Sequence, residues 1–318
     1  MNILEVRDLA VYFKSRAGTV HAVDGVNLWL EKGKILGIAG ESGCGKSTTA
    51  LSIPKLLPSN ASIFGGAILF NGENIADKSE KEMEAIRWKQ ISVIFQGAMN
   101  ALNPLKTVGQ QIMEPILLHE PKTTKSEAKA RTEELLEQVG IAKNRFYSYP
   151  HEFSGGMRQR AMIAMSLACR PQLVIADEPV TALDVMVQAQ ILELIRNLCK
   201  QYELSMIMIS HDLSVLAELC DQIAIMYAGK VVEYGNAKEV FRNPKHPYTI
   251  RLMHSFPDIH GERTFVNGIP GYPPSLLHPP KGCSFYDRCT VRRDECKEAE
   301  MKIVDVGDNH YSACNLGV

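Results

Sequence analysis

An α/β fold with parallel strands at its centre is predicted by two apolar runs that each end in polar chemistry, and by helical patterns between them. The first run, Lys34-Ile35-Leu36-Gly37-Ile38-Ala39, leads into Gly40-Glu41-Ser42-Gly43-Cys44-Gly45-Lys46-Ser47, which fits G-x-x-x-x-G-K-S/T. The second, Leu173-Val174-Ile175-Ala176, ends on Asp177 and Glu178. Short, wholly apolar runs are the mark of buried parallel strands, and such sheets present ligand groups at the strands' C-terminal ends.

Residues 3–31 read as strands with turns, the stretch up to Leu30 ending in the alternation of a half-buried strand. Thr48 to Leu57 reads as the start of a helix. The strand–loop–helix order makes the glycine-rich segment a phosphate cradle, since glycines turn backbone N–H groups inward and the helix start adds partial positive charge. Ser42, Gly43, Cys44, Gly45 and Thr48 would line it. Lys46 would reach the β- and γ-phosphates, and the Ser47 hydroxyl would hold Mg²⁺. A glycine-rich turn with a chance lysine fits the letters alone, but not the agreement of strand, loop and helix. Ala67-Ile68-Leu69-Phe70-Asn71-Gly72-Glu73 carries the Asn-Gly hairpin signal, so these N-terminal pieces suit a small antiparallel sheet.

From about 97 to 165 the pattern turns helical. Thr124 and Glu127 are spaced as a capping box, and Leu135, Leu136 and Val139 form a stripe that reads as core. Asp177 is placed to hold Mg²⁺ through water, and Glu178 to activate an attacking water. Val187, Ile191, Leu194, Ile195 and Leu198 outline an amphipathic helix, and Ser205–Ser210 and Gln222–Tyr227 two further buried strands. Beyond Asn243 prolines crowd the chain (Pro244, Pro247, Pro257, Pro270, Pro273, Pro274, Pro279, Pro280), a density that excludes long helices and central strands.

A net charge of −1 gives no basic field to suggest nucleic-acid binding. No apolar run approaches the roughly 18 residues needed to span a bilayer, and the N-terminus lacks the pattern of a signal peptide, so a cytosolic protein is expected. Of the eight cysteines, Cys169, Cys199 and Cys220 read as plain buried side chains. Cys44 is not needed for catalysis, though its alkylation would obstruct the loop. Cys283, Cys289, Cys296 and Cys314 gather in the tail with gaps of five, six and seventeen residues. Disulfides are disfavoured in a reducing compartment, zinc sites usually show closely paired cysteines, and a four-thiolate iron–sulfur cluster tolerates varied spacing. The residues favour the cluster, leaving zinc and unliganded or paired thiols as alternatives. Lys281, Arg288, Arg292, Arg293 and Lys297 lie near enough in sequence to offset a cluster's negative charge.

Phe153-Ser154-Gly155-Gly156-Met157-Arg158-Gln159-Arg160 places a second anion-binding helix start between the two strand motifs. One nucleotide has no need of two phosphate loops in one chain; a head-to-tail pair of chains does. With Ser154, Gly155 and Gly156 in that place, the sequence resembles the ATP-binding cassette ATPases, whose signature motif this segment matches. The resemblance implies a P-loop ATPase core with an antiparallel β subdomain and a helical subdomain. It further implies that Gln96 completes the Mg²⁺ shell and senses the γ-phosphate, that Ala182-Leu183-Asp184 communicates across the dimer, and that His211 contacts the γ-phosphate. Phe13, or its neighbour Tyr12, would stack on adenine, and Phe13 is favoured.

Pro150–Met165, Ala176-Asp177-Glu178-Pro179, Thr181-Ala182-Leu183-Asp184-Val185, Asn243-Pro244-x-His246-Pro247-Tyr248-Thr249 and the four-cysteine tail are similar to the D-type ATPase of bacterial dipeptide and oligopeptide importers. Val180 stands where a threonine is expected. The resemblance implies a cassette over residues 1–250 and a small irregular cysteine-containing C-terminal module over 251–318. It implies ATP and Mg²⁺ as ligands and, in some members, a 4Fe–4S cluster. The implied partners are a related F-type ATPase subunit or a second copy, two membrane permeases and an extracytoplasmic peptide-binding protein. The chain would then sit at the cytoplasmic face of the cell membrane and drive peptide import. Nickel importers use similar subunits, and a soluble cassette ATPase without a transport role is the other alternative.

Overall fold

The structure, a computed structural model, describes residues 1–97, 101–255, 268–314 and 316. Pro257 and the start of the helical stretch at 98–100 lie outside them. In chain order the elements are β1 (Asn2–Ser15), β2 (Gly18–Glu31), β3 (Ile35–Ala39), α1 (Lys46–Ser52), β4 (Ala61–Phe70), β5 (Glu73–Asn74), α2 (Glu80–Ile86), β6 (Ile91–Ile94), α3 (Val108–His119), α4 (Lys125–Gln138), α5 (Gly155–Ser166), β7 (Leu173–Asp177), α6 (Val185–Tyr202), β8 (Ser205–Ile209), α7 (Leu213–Leu219), β9 (Gln222–Tyr227), β10 (Lys230–Asn236), α8 (Ala237–Arg242), α9 (Pro247–His254), β11 (Val304–Gly307) and β12 (His310–Ser312). They fall into two compact units, Met1–Asp77 with Ser210–Val318, and Lys78–Ile209.

The first unit holds an antiparallel sheet in the order β2-β1-β4-β5. Its last turn is the Asn-Gly hairpin, with Asn71 at φ 51° and Gly72 at φ 83°, the pair of left-handed residues a two-residue hairpin needs. The same unit pairs β3 with β9 in parallel, β9 with β10 and β10 with β12 antiparallel, and β12 with β11. Every residue of β3 is buried, which explains its unbroken apolar sequence. The C-terminal segment is therefore not wholly irregular: its last strands extend a sheet of the cassette, while residues 268–303 contain only two short 3₁₀ turns.

The second unit is built on three parallel strands, β6 beside β7 and β7 beside β8. Thr124 and Glu127 form the expected capping box, with the Glu127 amide donating to Thr124 Oγ1 at 3.2 Å and the Thr124 amide to Glu127 Oε2 at 2.8 Å. Leu135, Leu136 and Val139 are buried as read. On α6 the buried stripe is Ile191, Leu192, Ile195, Leu198 and Cys199; Leu192 and Cys199 join the face expected from the sequence, while Val187 and Leu194 are half-buried. No helix among the described residues is long and apolar enough to cross a membrane.

Candidate functional site: a phosphate loop, a carboxylate strand and a thiol cavity

In the first unit β3 delivers the phosphate loop to α1. Gly40 has φ 146°, and a Cβ there would lie 2.1 Å from the Met226 carbonyl oxygen of β9; at Gly45, φ 102°, a Cβ would meet the Ala22 carbonyl oxygen at 2.4 Å. Both approaches forbid a side chain, so the two glycines of the motif are required by backbone packing as well as by conformation. Gly45 caps α1 without a side-chain hydrogen bond, so the helix starts directly out of the glycine-rich loop, where its N-terminal partial charge favours an anion. Lys46 Nζ donates to the carbonyl oxygens of Gly40 at 2.8 Å and Glu41 at 3.0 Å. Ser42, Gly43 and Ser47 are exposed, and Thr48 is half-buried. Cys44 is buried, and burial pushes its thiol up. A thiol raised in this way ionises less readily and so reacts more slowly with an alkylating agent.

Tyr12 and Phe13 lie in different surroundings. The Tyr12 ring lies 4.1 Å from His21 and 4.8 Å from Phe64, and its hydroxyl donates to Asp24 Oδ1 at 3.1 Å. Tyr12 is thus committed to local packing, while Phe13 is half-buried on the strand's other face. His211 is exposed in the same unit, just before Asp212, whose carboxylate caps α7 by accepting from the Ser214 amide at 2.9 Å.

In the second unit Asp177 ends β7, buried, and Glu178 follows with φ 47°. This left-handed backbone turns the glutamate out of the strand line, and its amide donates to the Ile209 carbonyl at 3.0 Å. Glu178 Oε2 accepts from Gln96 Nε2 at 2.8 Å and from Thr181 Oγ1 at 2.9 Å. The structure thus brings together Gln96, beyond β6, and Glu178, beyond β7. Val180 is buried and contributes packing alone. Ser154 caps α5, its Oγ accepting from the Met157 amide at 3.3 Å. A Cβ on Gly156 would stand 2.7 Å from Val187 Cγ1, so glycine lets α5 start close against α6. Asp184 caps α6 through the Val187 amide at 3.0 Å.

The four tail cysteines line one cavity of about 270 Å³, together with His246, Phe285, Tyr286 and Arg292 among others. Among the described residues no three His, Cys, Asp or Glu side chains converge closely enough to hold a metal ion. The thiols ring a space instead of meeting at a point. Burial, then the neighbouring thiols, lifts Cys283 to about 11, and burial also raises Cys314. Of the basic residues expected nearby, Arg292 lines the cavity, but Arg288 does not serve it. Its guanidinium is bound to Glu41 of the phosphate loop, at 2.7 and 2.8 Å.

Two residues with no motif of their own fix the tail. Glu233 on β10, fully buried, accepts from the Lys245 amide at 2.7 Å and the His246 amide at 2.8 Å, and its Oε1 lies 2.6 Å from His310 Nε2. His246 Nδ1 accepts from the Tyr248 amide at 3.1 Å and caps α9. The Asn-Pro-x-His-Pro-Tyr motif is thereby a helix start clamped on a buried carboxylate. Burial, opposed in part by Glu233, drives His246 down to about 4. The native state keeps this imidazole neutral, while the unfolded chain protonates it near its ordinary 6.5. Stability is full above that value and falls as the pH drops toward 4, by about 2 kcal/mol at pH 5. Urea midpoints between pH 7.5 and 5 should show this slope, and His246→Asn, which keeps a capping side chain, should flatten it. An equal slope in the variant would assign the acid sensitivity elsewhere.

Comparison with known proteins agrees with this geometry. Residues 23–181 match the family model described as ABC transporter, and residues 232–296 the one described as oligopeptide/dipeptide transporter, C-terminal region. The oligopeptide transport ATP-binding protein OppD of Bacillus subtilis (strain 168) is 50% identical over 97% of this chain and 87% of its own length. The dipeptide transport ATP-binding protein DppD of the same organism is 46% identical over 99% and 94%. Among solved structures, the dimeric cassette MJ0796, in a post-hydrolysis state bound to ADP and Pi, has a TM-score of 0.67 at 25% identity, covering 74% of this chain and 98% of that one. With the phosphate loop, the carboxylate strand and the C-terminal region all accounted for, the chain belongs to the ABC transporter family of ATPases.

Proposed function

We propose that this chain is the ATP-hydrolysing subunit of a dipeptide or oligopeptide importer. The observation that carries the reading is the joining, in one chain, of a complete cassette to the C-terminal region described for oligopeptide and dipeptide transporters. Phe13 stacks on adenine, and Ser42, Gly43, Cys44, Gly45, Lys46, Ser47 and Thr48 hold the phosphates. Ser47, Gln96 and Asp177 hold Mg²⁺, whose charge offsets the γ-phosphate. Glu178, steadied by Gln96 and Thr181, accepts the proton of the attacking water, and His211 contacts the γ-phosphate. Ser154, Gly155 and Gly156 complete the nucleotide site of a second ATPase, a related F-type subunit or another copy. Closure of the pair on ATP moves two permease subunits, and hydrolysis reopens it. An extracytoplasmic binding protein delivers the peptide, and the chain sits peripherally on the cytoplasmic face of the membrane.

Cys283, Cys289, Cys296 and Cys314 hold a 4Fe–4S cluster in this reading. An all-thiol donor set around a cavity of about 270 Å³ fits a multi-atom group better than a single zinc ion. When bound, it supplies a cross-link and a redox-capable centre.

The test is reconstitution. Alone, the chain should turn over ATP about 10²-fold more slowly than in the assembled transporter, the worth of one missing set of charge-stabilising donors. Full activity from a strictly monomeric preparation would sink the two-chain site. In a deletion strain, restored uptake of nickel but not of peptides would overturn the substrate assignment.

A further inference from the structure

Arg288 and Glu41 stand 247 residues apart and form a bidentate pair. The guanidinium is nearly sealed, its side chain 5% exposed. All five of its N–H donors are used: Nη1 to Glu41 Oε2 at 2.7 Å and to Tyr227 Oη at 3.2 Å, Nη2 to Glu41 Oε1 at 2.8 Å and to the Ile269 carbonyl at 3.0 Å, and Nε to the Pro270 carbonyl at 3.0 Å. Such complete, planar satisfaction is specific to arginine; a lysine offers neither the fork nor the count.

The far end of this pair is the turn of the phosphate loop. The Glu41 amide donates to Tyr248 Oη at 3.0 Å, and its carbonyl receives Lys46 Nζ at 3.0 Å. Glu41 is thus held at its amide, carbonyl and carboxylate. The near end is the cysteine cavity. Cys289 follows Arg288 directly, and Phe285, 1% exposed, packs edge-on against Tyr227 at 5.3 Å and Tyr248 at 5.4 Å. The thiol-bearing segment and the phosphate loop are two faces of one packed cluster.

We propose that Arg288 is a positioning residue for nucleotide binding, holding the Glu41 turn of the phosphate loop in shape and making that loop sensitive to the state of the cysteine cavity through Cys289. The inference rests on the nucleotide reading of the phosphate loop, and not on which group the thiols hold. A cradle of backbone amides binds phosphate in proportion to how well it is preformed, so a loosened Glu41 turn costs affinity before it costs anything else.

Calorimetric titration of the full-length chain with Mg²⁺ and a non-hydrolysable ATP analogue tests this. Arg288→Met should weaken binding about tenfold, the size expected for one buried charge-assisted pair, and Arg288→Lys should recover only part of it. Glu41→Gln, a half-buried and isosteric change, should weaken binding by a similar factor and serves if the arginine variant folds poorly. The Glu41→Gln/Arg288→Met double variant should be no weaker than either single one. Cys289→Ser should also weaken binding, again without multiplying with Glu41→Gln. Affinity within twofold of the parent in both Arg288→Met and Glu41→Gln, or factors that multiply in the double variants, would overturn the proposal. Lys46→Ala separates the two readings: it should abolish binding whatever Arg288 does, and its failure to do so would strike at the nucleotide site itself.

Discussion

Glu178→Gln should leave ATP binding intact and lower turnover by about 10²–10⁴-fold, the usual contribution of a positioned general base. The change is isosteric, so Thr181 Oγ1 can still donate to the side-chain oxygen, and the left-handed turn at φ 47° is fixed by the backbone hydrogen bond to Ile209. What disappears is the carboxylate that takes the proton of water. Because binding survives while reopening depends on hydrolysis, the variant should accumulate an ATP-bound closed pair, visible as a slower-sedimenting monomer shifting to dimer with ATP. Near-normal hydrolysis in the assembled transporter would remove Glu178 from the mechanism. A milder effect is expected from Gln96→Ala, which takes away the hydrogen bond of 2.8 Å to the same oxygen and the proposed Mg²⁺ contact but leaves the carboxylate that accepts the proton.

The parts that could be read in the sequence are those where local rules dictate residue type. Gly40 and Gly45 announce the phosphate loop because backbone oxygens at 2.1 and 2.4 Å leave no room for a side chain, a constraint that writes itself into the letters. The Thr124–Glu127 box is equally local, and the same grammar closes capping boxes at Ser79–Glu82 and Thr107–Gln110. The buried strands β3, β7 and β8 are legible because their sequences are apolar apart from Asp177 at the end of β7 and Ser205 at the start of β8. Contacts between distant segments leave no such trace. Nothing around Arg288 distinguishes it from Arg292 or Arg293 as a neighbour of the cysteines, yet it turns away to Glu41. Glu233 and His310 carry no motif, and only folding shows that they secure the Asn-Pro-x-His-Pro-Tyr segment. Sequence distance was also a poor guide to independence: the tail, more than half the chain from the phosphate loop, touches it.

Replacing any one of Cys283, Cys289, Cys296 or Cys314 by serine should strip the tail of its group and loosen it. Protein made without oxygen should carry about four iron atoms per chain with visible charge-transfer absorption, and each serine variant should lose both. The size of the effect follows from how little core the segment has. Between residues 268 and 303 only Gly282 and Phe285 are buried, and the two 3₁₀ turns supply few internal hydrogen bonds. A stretch so poor in apolar burial cannot hold its shape by the hydrophobic effect alone, and small modules of this kind draw their folding free energy from cross-links or bound metal. The cavity of about 270 Å³ between the thiols is where that contribution would enter. Loss of the group should therefore expose the segment to protease while leaving β3, α1 and the antiparallel sheet protected, since these are stabilised by their own strand pairing and burial. Nucleotide should still bind, but more weakly, because Arg288 loses its footing beside Cys289. Anaerobic protein with stoichiometric zinc, no iron and no visible absorption would sink the cluster; serine variants with unaltered proteolysis of 268–303 would show that the thiols do not hold the tail together.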